Sequence, residues 1–235
     1  MDFDDISRVI PWIETAYDLG LDLDAPQVAL PRAFKSHLGW RQVPKGGRYI
    51  VSLRDPKDVL VSLFRFKEGW FFEPGSIPIA RFARREFFHR GEGRDYWDHL
   101  VSWWEHRNDD NVLLLCYEEM KLDLAGTVRA VAAHIEVALD RELLDLVERQ
   151  ASLDFMLAHK DRFDDFLMRE RSEQECGLPA GSDSAKVRKG EVGAHAYELP
   201  SEVAEEMDGI WASEIESRLG FADYQELREA FVPSA

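Results

Sequence analysis

Cysteine is nearly missing from this chain. Cys116 and Cys176 are the whole supply, too few for a disulfide framework and without the spacing of a zinc cluster. No run of eighteen apolar residues occurs, so no membrane-spanning helix is expected. The opening residues Met1-Asp2-Phe3-Asp4-Asp5 are acidic where a secretory signal is basic and then apolar, so no leader is expected either. Positive charge is scarce: 29 Lys and Arg stand against 45 Asp and Glu, a formal net charge of −16. That excludes broad binding to nucleic acid or to anionic lipid. Internal repeats and low-complexity segments are absent, and so is the Gly-x-x-x-x-Gly-Lys-Ser/Thr phosphate loop. These absences together predict a soluble cytoplasmic protein with no metal, no nucleic-acid partner and no membrane partner.

What is present suits one globular domain over residues 1–235. The chain is 45% hydrophobic and 11% aromatic, with seven tryptophans, enough for a substantial core. The acidic background does not forbid a small anionic ligand. It requires such a ligand to sit among local Arg, Lys and backbone N–H groups, which makes the few basic clusters informative.

Hydrophobic periodicity predicts a mixed α/β chain. Residues 32–36 read as a short strand, and Arg48–Leu53 as a compact apolar one. A helix is expected from Pro56 to Lys67, with Val59, Leu60, Leu63, Phe64 and Phe66 on its apolar face. Further helical patterns cover about 77–88, 95–106, 124–136, 140–149 and 201–218. The apolar run in 111–120 predicts a strand covered on both faces. The polar stretch 160–190, with Gly177, Pro179 and Gly181, reads as a long loop. Strands alternating with helices imply a three-layer parallel sheet flanked by helices.

The junction Arg54-Asp55-Pro56 has a definite physical meaning. Asp55 is a good N-cap, and Pro56 suits the first helical position because its missing N–H has no partner there. The helix then presents free N–H groups and the positive end of its dipole beside Arg54, an arrangement that attracts anions. Ser62, seven residues after Asp55, returns to the same helix face two turns on. An ordinary capped helix with a solvated arginine satisfies the same pattern, and these residues alone leave both readings open.

The wider sequence separates them. "RYIVSLRDPKDVLVSLFRF", 48 to 66, resembles the 3′-phosphate-binding segment of sulfotransferases that use 3′-phosphoadenosine-5′-phosphosulfate (PAPS), above all the cytosolic type. "PRAFKSHL", 31 to 38, resembles the family strand ending in Lys-Thr-His-Leu. Residues 96–121 are similar to its helix and the strand ending in Tyr-Glu-Asp-Met, and "KVRKGEVG", 186 to 193, to its Arg-Lys-Gly loop. Four segments in family order over roughly 31–193 are far more specific than any one alone.

The resemblance implies a P-loop-nucleotide-hydrolase-like fold and transfer of a sulfuryl group from PAPS to a hydroxyl or amine of a small acceptor. It implies His37 as catalytic base, a role imidazole suits near neutrality, and Lys35 as a cation stabilising the transferring group. Arg54, Ser62, Arg188, Lys189 and Gly190 match the 3′-phosphate ligands, Tyr117 an adenine-side contact, and His99 an acceptor-pocket histidine of part of the family. The acceptor pocket is expected to be lined by Trp12 and the 68–78 and 160–185 loops. A nucleotide kinase of similar architecture is disfavoured by the missing Walker lysine.

Departures accompany the likeness. The family's first strand and its phosphosulfate loop, similar to Pro-Lys-Ser-Gly-Thr-Thr-Trp, have no counterpart before residue 31, so the resemblance implies a domain incomplete at its N-terminus. An alternative expectation follows: a catalytically impaired remnant or binding protein that keeps only the 3′-phosphoadenosine site. Ala151 and Leu153 stand where the family has a donor-contacting Thr and an adenine-side Phe. Residues 192–199 lack the Gly-Asp-Trp-Lys that often follows Arg-Lys-Gly, and no dimerisation motif is recognisable.

Overall fold

A computed structural model of the protein describes residues 3–88, 95–179 and 186–231. Two strands pair in parallel, β1 (Tyr49–Leu53) with β2 (Val112–Cys116). Helices in the first half of the chain are α1 (Ile6–Val9), α2 (Pro56–Lys67), α3 (Ile79–Phe82) and α4 (Tyr96–Trp104). The middle carries α5 (Tyr117–Leu122), α6 (Leu124–His134), α7 (Arg141–Ala151), α8 (Leu153–Ala158) and α9 (Phe166–Cys176). The C-terminal part holds α10 (His195–Glu198), α11 (Ser201–Trp211), α12 (Ser217–Leu219) and α13 (Tyr224–Glu229). Helix and parallel strand thus mix as the α/β reading requires, and the expected helices fall close to their predicted spans.

The chain divides into two compact units. One comprises Leu38–Ser62, Pro78–Glu148 and Glu191–Ala235, and contains the strand pair. Its interior is largely apolar: Leu53, Leu60, Val61, Trp97, Leu100, Val101, Val203, Met207, Ile215 and Leu227 are almost fully buried, with Asp58 and Glu118 the buried carboxylates among its described residues. The strands run in register from Tyr49 opposite Val112 to Leu53 opposite Cys116. Along β1 burial alternates, Tyr49, Val51 and Leu53 inward and Ile50 and Ser52 outward. Leu113–Leu115 of β2 are only half-buried, where the apolar run predicted cover on both faces. Leu113 and Leu115 sit opposite Ile50 and Ser52, and share that more open face.

The other unit comprises Met1–His37, Leu63–Ile77 and Arg149–Gly190. Buried Ala16, Phe64, Trp70 and Val187 are joined there by buried Asp5, Ser7, Thr15, Glu68, Asp164, Asp165, Ser172 and Glu173. Residues 32–36 form no strand. A single parallel bridge joins Lys35 to Trp12, with Lys35 N–H donating to Pro11 O and Ile13 N–H to Lys35 O, both at 2.9 Å. Pro31 and the exposed turns before it leave no room for a longer ladder.

Three other expectations change. The predicted 160–190 loop contains α9, whose Met, Arg, Glu and Gln are strong helix formers. It ends on Gly177, whose φ of 66° is the left-handed stop that glycine tolerates; its charges disguised it as loop. Gly181 of that stretch lies outside the described residues. The helices predicted over 77–88 and 201–218 are interrupted by wide π-turns at Ala83–Phe87 and Ala212–Glu216, such as Phe88 N–H donating to Ala83 O at 2.9 Å. Tyr117 opens a helix instead of closing a strand.

Candidate functional site

In parallel pairing both strands end on the same edge. With Leu53 opposite Cys116, the next residues, Arg54 and Tyr117, leave the sheet side by side and each chain turns into a helix. Open α/β sheets bind ligands beyond these carboxyl ends. The Arg54 guanidinium lies 4.4 Å from the centroid of the Tyr117 ring, a cation–π contact. The cap behaves as the sequence predicts: Asp55 Oδ1 accepts from the Lys57 N–H at 2.8 Å.

Arg54 is largely occupied. Its Nη2 donates to Asp58 Oδ2 at 3.0 Å and to the carbonyl of Glu191 at 2.6 Å. Its Nε–H, however, is buried and meets no acceptor among the described residues. A buried donor without a partner is costly, and a guanidinium presents its Nε and Nη edge to oxyanions as a fork.

Asp58, one helical turn beyond Arg54, is 1% exposed. Besides Arg54 it accepts from Gly193 N–H at 2.7 Å, His195 N–H at 3.1 Å and His195 Nδ1 at 2.9 Å. Burial works against its charge, but these donors and Arg54 outweigh it and hold the carboxyl below its ordinary value. Asp58 thereby pins the residues that follow the Arg-Lys-Gly sequence to the first turn of α2. Burial pushes the neighbouring Asp55 carboxyl up. Ser62 is exposed on α2.

Lys35 and His37 belong to the other unit, and both meet Trp12. Lys35 Nζ is 4.0 Å from the centroid of the indole. The His37 ring stands edge-on to it at 4.9 Å, and the His37 N–H donates to Glu14 Oε1 at 2.6 Å. Lys35 also pairs with Asp165 Oδ2 at 3.3 Å. Asp165 is 1% exposed, accepts from Ser7 Oγ at 2.9 Å, and holds Lys186 as well.

Burial pushes the Lys35 ammonium down. It pushes Lys186 down to about 6, with the adjacent Lys35 charge acting in the same direction. Trp12, Phe66 and Trp70 surround Lys186, their centroids 5.7, 5.4 and 5.6 Å from Nζ. Arg188 and Lys189 are exposed beside buried Val187. Gly190 has a φ of 58°, which only glycine adopts without strain.

The structure therefore brings Arg54 and Tyr117 together in one unit, and Lys35 and His37 around Trp12 in the other. Sequence reasoning missed Asp58, His195, Asp165 and Lys186. Asp58 was within reach, since a residue four positions after an arginine on a helix faces it. The others meet partners far away in the chain and leave no local signal.

Comparison with known proteins follows the same lines. The family profile described as "Sulfotransferase domain" matches residues 2–220. An amine sulfotransferase of Oryctolagus cuniculus is 30% identical over 191 residues, 79% of this chain and 62% of the relative. Sulfotransferase 2A1 of Rattus norvegicus is 30% identical over 212 residues, 86% of this chain and 69% of the relative. The luciferin sulfotransferase of Photinus pyralis is 32% identical over 135 residues, 53% of this chain and 35% of the relative. The chain thus spans between about a third and two thirds of these relatives. Among solved structures, a mouse sulfotransferase complexed with PAP superposes with a TM-score of 0.66 at 22% identity, over 88% of this chain and 72% of that one. Retinol dehydratase in complex with androsterone and inactive cofactor PAP gives 0.65 at 22% identity, over 82% and 55%.

Proposed function

Because the chain belongs to the sulfotransferase family, we propose that it acts as one sulfotransferase domain in the cytoplasm. It takes PAPS as donor and a small molecule bearing a hydroxyl or amine as acceptor. The observation that carries this reading is the Arg54 edge: a guanidinium stacked on Tyr117 at the carboxyl end of a parallel pair, with a buried Nε–H that has no acceptor among the described residues. An orphaned cationic donor in that position fits a phosphate oxygen.

In this reading Arg54, the N–H groups opening α2 and Ser62 hold the ribose 3′-phosphate, while for Arg188, Lys189 and Gly190 the phosphate-binding role rests on the family resemblance of their sequence alone. Tyr117 faces the adenine side. The donor supplies the sulfuryl group. His37, positioned by Trp12 and by its own N–H on Glu14, takes the acceptor's proton. Lys35 supplies positive charge where negative charge develops.

A thermal-shift titration tests the reading. Stabilisation by 3′-phosphoadenosine 5′-phosphate beyond that by AMP is expected; equal shifts from the two nucleotides overturn it.

Two observations favour a second reading, a nucleotide-binding protein that transfers no sulfate. Lys35 is engaged by Asp165 and its charge is disfavoured by burial, and these 235 residues contain no phosphate-loop motif. It predicts the same nucleotide preference with no sulfated product from any hydroxyl or amine acceptor.

A further inference from the structure

The peptide group that joins Arg54 to Asp55 is held at both ends by side chains. Its carbonyl, the Arg54 oxygen, accepts from the Tyr96 hydroxyl of α4 at 2.5 Å. Its N–H, on Asp55, donates to Glu118 Oε1 of α5 at 3.2 Å. A change in this peptide's orientation would disturb both the Arg54 side chain and the start of α2, because it lies in the two-residue junction between β1 and the helix.

Glu118 is itself fixed. It is 4% exposed, and its other oxygen, Oε2, accepts from the Tyr224 hydroxyl at 2.6 Å and the Cys116 thiol at 3.0 Å. Tyr224 opens α13, which Asp223 caps by accepting from the Glu226 N–H at 2.9 Å. Leu227 of α13 is fully buried, and Arg228 Nε donates to Glu119 Oε1 at 2.7 Å. Helix α13 is thus bolted to the α5 segment by a core residue, an ion pair and the tyrosine hydroxyl. It lies beyond residue 220, where the family match ends.

We propose that Tyr96, Glu118 and Tyr224 are positioning residues for the 3′-phosphate site, so that α13 sets how well Arg54 is presented to its ligand. The inference rests on the reading of Arg54 as a 3′-phosphate ligand. A carboxylate bound on one oxygen only can rotate about its last torsion; a donor on each oxygen removes that freedom. Fixing Glu118 fixes the Asp55 N–H, and with Tyr96 on the carbonyl the peptide plane has no slack. Pre-placing a ligand-binding group in this way lowers the ordering cost of binding. Burial pushes both tyrosine hydroxyls above their ordinary values, so each stays protonated and donating at neutral pH.

The test compares the intact chain with Tyr224→Phe, Tyr96→Phe and Glu118→Gln. Each is titrated calorimetrically with 3′-phosphoadenosine 5′-phosphate and with AMP. The phenylalanine variants keep the rings, and thermal unfolding checks that each variant is folded. Tyr224→Phe is expected to weaken the 3′-phosphorylated ligand about five-fold, the factor one hydrogen bond's net contribution corresponds to, and to leave AMP unchanged. Tyr96→Phe is expected to do the same from the other end of the peptide. Glu118→Gln keeps an acceptor for the Asp55 N–H and is expected to lose less.

An unchanged ratio between the two nucleotides in both phenylalanine variants overturns the inference. So does an equal loss for both ligands, which marks a purely structural role. If the unsubstituted protein itself binds the two nucleotides alike, the reading of Arg54 fails and this inference falls with it.

Discussion

The two units bury different chemistry. The unit containing the strands hides chiefly indoles and aliphatics, with Trp97, Leu100, Val101, Val203 and Ile215 almost wholly out of solvent, and its buried Asp58 and Glu118 each sit among several donors. The unit containing Lys35 hides carboxylates: Asp5, Asp164 and Asp165 are each less than 5% exposed, and two lysines converge on the last of them. An apolar interior stabilises through area removed from water. A buried ion cluster balances desolvation against pairing and contributes little net, although breaking it is costly. One unit is therefore built for stability, while the other keeps titratable groups in place next to Trp12.

The largest effect expected from this contrast is in the apolar unit. Trp97→Ala removes a side chain 1% exposed, and should lower unfolding free energy by about 3–5 kcal/mol in urea titration. A loss under about 1 kcal/mol would mean that this interior is loosely packed.

Next comes Asp165→Ala, which strands Lys35 and Lys186 without their shared carboxylate and should cost about 3 kcal/mol. Replacing all three together, Lys35→Met, Lys186→Met and Asp165→Leu, should restore most of that stability. If the triple variant is as unstable as the single one, the cluster is a net stabiliser and the contrast between the units breaks.

The third effect is a slope rather than a single loss. Lys186 binds its proton near pH 6 in the folded protein but near its ordinary 10.5 once unfolded. Between those values the unfolded chain holds more protons, so this group makes stability rise with pH across that window and adds no slope below it. Lys186→Met should flatten the profile between pH 6 and 10, read from urea midpoints. An identical slope in the variant would show that Lys186 stays charged when folded.

Legibility in the sequence follows the same division. Strand β1, helix α2 and the Asp55 cap were readable because apolar spacing and an Asp-Pro pair are local signals, and Arg54 beside Tyr117 follows from two strands ending in register. Helix α9 was missed because the face it buries includes Ser172 and Glu173, so no apolar stripe announces it. The Trp12–Lys35 bridge is a single pair and has no periodicity to detect. Asp165 meets Ser7 and Lys35 across more than a hundred residues of chain, a proximity that only the tertiary fold creates. Of the candidate site, the Arg54–Tyr117 edge was legible, while the carboxylates that hold it, Asp58 and Glu118, emerged from the structure.

The central claim is that Arg54 grips a ribose 3′-phosphate, and calorimetric titration of 3′-phosphoadenosine 5′-phosphate into Arg54→Ala tests it most directly. Loss of charge-assisted hydrogen bonds to phosphate should weaken binding by about ten- to hundred-fold relative to the unsubstituted chain, while AMP affinity barely moves. Unaltered affinity for the 3′-phosphorylated nucleotide in that variant would contradict the account.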